Sequence, residues 1–245
     1  MGEHDPVERA GGDEPTMQAL KSAQTRARLI DATIRVLVRS GYSRTTTPQV
    51  ASEAGLSRGA MLHHFDNGVS LIKATIMHLH ERRLRAFRRA AERSAQDQGA
   101  MVRTYWKQIQ KPAFIAFHEL AVAARTNSDL ATVLMPLQVE FRQRYNQLAV
   151  QLYPEWQAAP GTFALAMAVS QATMEGMAVN LLTGAMDASL VEPVLQSLEN
   201  QLHALRPALP GINAHEPGPT LCPAAATRER PGNSTRNAAD GARTG

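Results

Sequence analysis

The sequence predicts an all-α protein, and three features carry that prediction. Apolar residues recur at helical spacing through most of residues 16–206. No run alternates with the period of two that a half-buried strand shows between turn residues. Gly, Pro and Asn fall between the periodic runs rather than inside strand-length segments. The 245 residues suffice for one large domain or two modest ones.

Residues 1–15 carry five acids together with Pro6, Gly11, Gly12 and Pro15, and read as a disordered leader. The first predicted helix covers about 21–40, with Leu29, Ile30, Thr33, Ile34, Leu37 and Val38 on one face and Gly41 as a left-handed cap. Short helices follow at 47–54 and 57–64, then a long one at about 69–94. Further helices are expected at 101–126, 128–136, 137–153, 161–184 and 189–206, separated by Asn127, Pro136, Pro154, Pro160-Gly161 and Gly184. From residue 207 the chain is rich in Pro and Gly and poor in large apolar residues, so the tail 207–245 is expected to be disordered.

Charge and cysteine usage narrow the function classes. Residues 16–93 hold 14 Lys and Arg against 5 Asp and Glu, a net +9, while residues 94–209 hold 7 against 9. A basic block beside a neutral region fits a polyanion on one side; a solvated basic face would give the same count. The run Glu81 to Arg89 reads mainly as such a solvated face. Cys222 is the sole cysteine, which excludes a disulfide framework or a cysteine-based metal site and fits the cytoplasm. The opening residues are acidic and polar, unlike a secretory signal. From Gln157 to Met186 the only charge is Glu175, but Gln171, Asn180 and many Ala and Gly favour a buried, closely packed helix over a membrane span.

The chemistry sits in residues 45–66, TTTPQVASEAGLSRGAMLHHFD. Thr47 is the expected N-cap, with Pro48 at the first helical position. Val50, Ala51 and Ala54 face inward, Gly55 supplies the positive φ of a tight turn, and Leu56 plugs the core. Ser57 caps the next helix, which Met61 and Phe65 bury. A small Ala51, Gly55 four residues on and apolar Met61 six further is the spacing of a helix-turn-helix. A non-binding helical hairpin shares parts of this pattern, and the basic block argues against it.

The run from Thr25 to Leu71, with TRARLIDATIRVLVRSGY and then TTTPQVASEAGLSRGAMLHHF, resembles the DNA-binding domain of the tetracycline-repressor-like (TetR) family. Leu62 stands where that family usually has a phosphate-binding tyrosine, and Gly68 where a lysine often opens the fourth helix. The resemblance implies a helix-turn-helix DNA-binding domain at 16–68 and a helical effector-binding and dimerisation domain at 69–206. It further implies a homodimeric repressor on a double-stranded operator, released by a small-molecule effector. In such a module the second short helix enters the major groove. Base contacts are then assigned to Arg58, Gly59, Ala60 and Pro48, with Arg58 suited to guanine O6 and N7. Phosphate contacts are assigned, partly by the resemblance, to Thr25, Thr47, Ser57, His63, His64 and Lys73.

The second domain offers a pocket rather than a catalytic set. Trp106, Phe117, His118, Phe141, Tyr145, Gln171, Met174 and Glu175 are the candidate ligand-binding residues, since they combine apolar surface with a few polar groups. Glu175 and Gln171 need partners if buried, and a small, largely apolar effector with a polar or cationic group would meet Glu175. Dimerisation is expected through residues 161–206. There Ala164, Ala168, Ala172 and Gly176 form a small-residue row beside a bulky stripe of Phe163, Met167, Met174, Met177 and Leu181. Ser189 and Glu192 suggest a capping box before Val191, Val194, Leu195, Leu198, Leu202 and Leu205.

An enzyme finds no support: no nucleophile-base spacing, Gly-rich phosphate loop or metal box occurs, and no cofactor is expected. His78 and His80 do not share a helix face as metal ligands would. A DNA-binding protein whose second domain docks a protein partner is the other alternative.

Overall fold

The computed structural model describes residues 16–93 and 100–207, and all regular elements among them are helical. The leader 1–15, residues 94–99 and the tail from 208 lie outside the described residues. Helix α1 spans Met17–Ser40, α2 Thr47–Glu53, α3 Arg58–Leu62 and α4 Gly68–Arg93. They are followed by α5 Ala100–Ile109, α6 Pro112–Ala124, α7 Ser128–Leu152, α8 Pro160–Leu182 and α9 Val191–Leu205. No described helix is long and apolar enough to cross a membrane.

The first core forms where α1 crosses α2 and α3. Leu29, Ala32, Val36, Val50, Ala51, Met61 and Phe65 are buried together there, with Leu56 half-buried against them. The opposite side of α1, through Ile34 and Leu37, packs with Ile76 and Leu79 of α4 and with Phe117 and Leu120 of α6. Helix α4 therefore runs from the first core into the second. Two further clusters lie beyond it, one around Phe87, Phe141 and Tyr145 and one around Trp106, Phe114, Met174 and Leu195.

Several boundaries differ from expectation, each for a local reason. The expected helix 101–126 is two helices, because Pro112 lacks an N–H and holds Lys111 extended at φ −81° and ψ 153°. Conversely, 128–136 and 137–153 form one helix straight through Pro136. An interior proline costs about 3 kcal/mol; here Leu130 and Leu134 on one side and Phe141 and Tyr145 on the other bury both halves. Pro136 is exposed, so the Thr132 carbonyl that loses its donor faces water.

The caps also shift. Thr46, not Thr47, caps α2, and its backbone N–H donates to Gln49 Oε1 at 3.1 Å. Ser189 lies in a short 3-10 turn before α9 instead of opening a capping box, and Asp187 Oδ1 accepts its N–H at 2.8 Å. Gly41 has the expected positive φ of 73°, but ψ is 169°, an extended conformation open essentially to glycine alone.

Candidate nucleic-acid interface

The α2–α3 hairpin is built as its residue types require. Gly55 has φ 63°, the Leu56 N–H donates to Ala51 O at 2.9 Å, and Ser57 Oγ accepts the Ala60 N–H at 3.1 Å. Met61 is wholly buried, which fixes the rotation of α3 about its axis. Its outer face is then Arg58, Gly59, Leu62 and His63, all exposed, with Ala60 half-buried beside them. A Cβ at Gly59 would meet nothing closer than Ser57 Oγ at 3.9 Å, so no neighbour in the chain demands glycine there. That leaves close approach by an outside partner as the use of its small size.

Arginines of the basic block clamp this unit. Arg28 Nε donates to Ala54 O at 3.0 Å, at the end of α2. Arg26 donates to the His64 carbonyl and lies over the Phe65 ring, 4.2 Å from its centroid. Arg35 and Arg39 both pair with Glu53, at 2.7 and 3.0 Å, and their hydrogen bonds hold its carboxyl below the usual range. These four cations are structural staples, a use that net charge alone could not show. Gly68, which stands where a lysine was expected, packs against Thr47: a Cβ there would lie 3.3 Å from Thr47 Cγ2.

The remaining contact candidates divide by exposure. Pro48, Ser57, His63 and Lys73 are exposed, while Thr25, Thr47 and His64 are half-buried. Thr25 already donates its hydroxyl to Lys21 O at 2.9 Å, leaving oxygen lone pairs but no proton to offer.

Five of the eight candidate ligand residues are spread over three buried clusters. Trp106 and Met174 lie in one buried cluster, Phe141 and Tyr145 in another, and Phe117 in the core against α1. His118 is half-buried and stacks near Phe114, and Gln171 is half-buried on α8. Glu175 is not waiting for a cation: its Oε1 accepts from Arg83 Nη2 at 3.1 Å and from the Tyr105 hydroxyl at 3.3 Å.

Arg83 is therefore not part of a solvated face. Its side chain is only 17 % exposed and lies over Phe117 and Phe141, 5.2 and 4.8 Å from the ring centroids. Burial opposes its charge, but Tyr105 and Glu175 outweigh that and keep the guanidinium protonated. Beside it His80 is 4 % exposed, stacks on Phe141 at 4.5 Å and faces Gln138 Oε1 at 3.1 Å through Nε2. Periodicity marked Phe117 and Phe141 as apolar, but nothing in the spacing said that an arginine and a histidine of α4 would lie between them.

The apolar residues of α9 are likewise spent inside the chain. Leu195 and Leu198 are buried and Val191, Val194, Leu202 and Leu205 half-buried; in the bulky stripe of α8, Phe163, Met174 and Met177 are buried and Met167 and Leu181 half-buried. What α8 leaves outward is the row Ala164, Ala168, Ala172 and Gly176, with Leu165 and Leu182 also exposed.

An exposed, capped second helix held on a tight glycine turn defines a helix-turn-helix protein on an all-helical frame. Residues 29–75 match the family of bacterial regulatory proteins designated tetR. The chain is 32% identical over 106 residues to the HTH-type transcriptional regulator TtgR of Pseudomonas putida, covering 43% of this chain and 47% of that protein. The matched stretch thus spans about half of that relative's length. An uncharacterized HTH-type transcriptional regulator of Mycobacterium tuberculosis is 26% identical over 165 residues, 66% of this chain and 85% of that one. In fold, a TetR family transcription regulator from Marinobacter aquaeolei superposes with a TM-score of 0.57 at 17% identity, over 78% of this chain and 98% of the other. Residues 29–75 thus carry the helix-turn-helix module of the tetR family, and the all-helical fold resembles that of a solved TetR family regulator.

Proposed function

We propose that the protein is a sequence-specific DNA-binding transcriptional regulator, acting in the cytoplasm as a homodimeric repressor that a small ligand releases from its operator. It is a binding protein and not an enzyme. The observation that carries the reading is the outer face of α3, where Arg58, Gly59, Leu62 and His63 have no packing role and stand on a clamped hairpin.

In this reading residues 16–68 form the DNA-binding unit. Arg58, Gly59, Ala60 and Pro48 meet base edges, while Thr25, Thr47, Ser57, His63, His64 and Lys73 anchor phosphates. Residues 69–206 form the effector and dimerisation unit, with the small-residue row of α8 as the close-packed seam between subunits. The amphipathic α9 supports that seam from inside its own chain. A dimer must present its two α3 helices about 34–36 Å apart to reach successive major grooves.

Coupling runs through α4, which shares the first core at Leu71 and carries Arg83 into the second unit. A ligand that shifts α4 changes the spacing of the α3 helices without touching DNA. The test is fluorescence anisotropy of operator duplex, selected from a random pool, across a salt series. Log affinity should fall with log salt by about 0.9 per phosphate neutralised. Failure to enrich any duplex, or an affinity indifferent to salt, would overturn the reading.

A further inference from the structure

We infer that the effector is an anion: a carboxylate carried on a single ring or short branched chain, seated between α4, α5 and the start of α6. This deepens the regulatory reading above and rests on it. A cleft of about 110 Å³ opens there, with Leu79, Phe87, Ile109 and Phe114 among its apolar lining residues. Four cations line the same cleft, Arg82, Arg83 and Arg89 from α4 and Lys111, the N-cap residue of α6. No Asp or Glu is among its lining residues.

Helical spacing explains the arrangement. Arg82, Ala86 and Arg89 recur at intervals of four and three on α4, so both arginines lie on the face turned to the cleft. Thr104 of α5 adds a hydroxyl, the Tyr105 hydroxyl being engaged with Arg83 and Glu175, and Gln108 is held by Lys111 Nζ at 2.8 Å. Among the described residues no ion pair engages Arg82, Arg89 or Lys111, whereas Arg83 is paired with Glu175. Lys111 is the residue before Pro112, so the positive end of the 13-residue α6 dipole adds to the same field.

Charge and size together select the ligand. A cation placed here would meet four like charges with only the engaged Glu175 behind them, so the cationic effector expected for Glu175 is disfavoured. The cleft is smaller than the ~150 Å³ that takes a benzene ring in an engineered cavity. A ring can therefore enter only in part, leaving its carboxylate at the rim among the arginines.

The experiment is isothermal titration of the full-length protein with benzoate, benzamide and benzylamine at one ionic strength, alongside operator affinity with and without each compound. Charge-assisted hydrogen bonds lead us to expect benzoate to bind at least about tenfold tighter than benzamide, to show no competition from benzylamine, and to weaken operator binding. Arg82→Ala/Arg89→Ala should lose that advantage with an unchanged melting profile, because both side chains are exposed. Arg125→Ala, remote from the cleft, should keep it. Equal binding of benzamide or preferred binding of benzylamine overturns the anionic class and leaves ligand sensing standing. Binding of none of the three overturns the site itself, and intact operator affinity in the same preparation would show that DNA binding is a separate matter.

Discussion

Acidification between pH 7 and 5 should destabilise this protein mainly through one buried histidine. Burial first, then the neighbouring charge of Arg83, hold the His80 pKa down to about 4 from 6.5; the Gln138 hydrogen bond and Glu81 pull the other way, and Arg144 adds to the depression. The unfolded chain therefore takes up a proton at higher pH than the folded chain does. Stability is complete above about pH 6.5 and is lost as pH falls toward 4. Linkage between those two values gives a loss of about 2 kcal/mol by pH 5 and about 3 kcal/mol by pH 4. The perturbation is His80→Phe, which keeps a ring against Phe117 and Phe141 and removes the titrating group. The assay is urea unfolding followed by circular dichroism at pH 7 and at pH 5. Wild type should lose about 2 kcal/mol more than the variant over that interval. Equal losses in the two proteins would refute the assignment of His80 as a neutral, desolvated side chain.

Two other outcomes follow from the packing. Gly41→Ala forces a glycine-only conformation and sets its Cβ 2.8 Å from Glu119 Oε1, the oxygen that accepts the Tyr42 N–H at 2.9 Å. It should cost about 1–3 kcal/mol, read as a lower melting temperature, and a melt equal to wild type would contradict the backbone reading. Ala172→Leu places a large side chain on the outward row of α8, where overpacking costs about 1–3 kcal/mol. Sedimentation should show monomer with its fold intact, and an undisturbed dimer would place the seam elsewhere.

What the sequence made legible were features governed by neighbours a few residues apart. Ala51, Gly55, Ser57 and Met61 each do what their size, φ or hydroxyl implies, and the hairpin they build is present. Proline misled twice in opposite directions. Pro112 ends a helical run because it lacks an N–H and holds Lys111 extended before it. Pro136 does not, because apolar residues on both sides anchor one continuous helix. Long-range pairing was invisible: Arg26 reaches the carbonyl of His64, 38 residues on, and Arg83 reaches Glu175, 92 residues on. Those contacts turned part of a basic surface into internal staples and satisfied the carboxylate expected to bind ligand.

In the proposed reading Arg58, at the exposed start of α3, reads sequence in the major groove. Binding-site selection from a random duplex pool, run in parallel on wild type and Arg58→Ala, tests it most directly. Wild type should return a two-fold-symmetric motif with half-sites about one helical turn apart and a guanine preference in each. Arg58→Ala should lose that preference at one base pair per half-site, at a cost of about 1–3 kcal/mol. Recovery of the unaltered wild-type motif by Arg58→Ala would contradict the account.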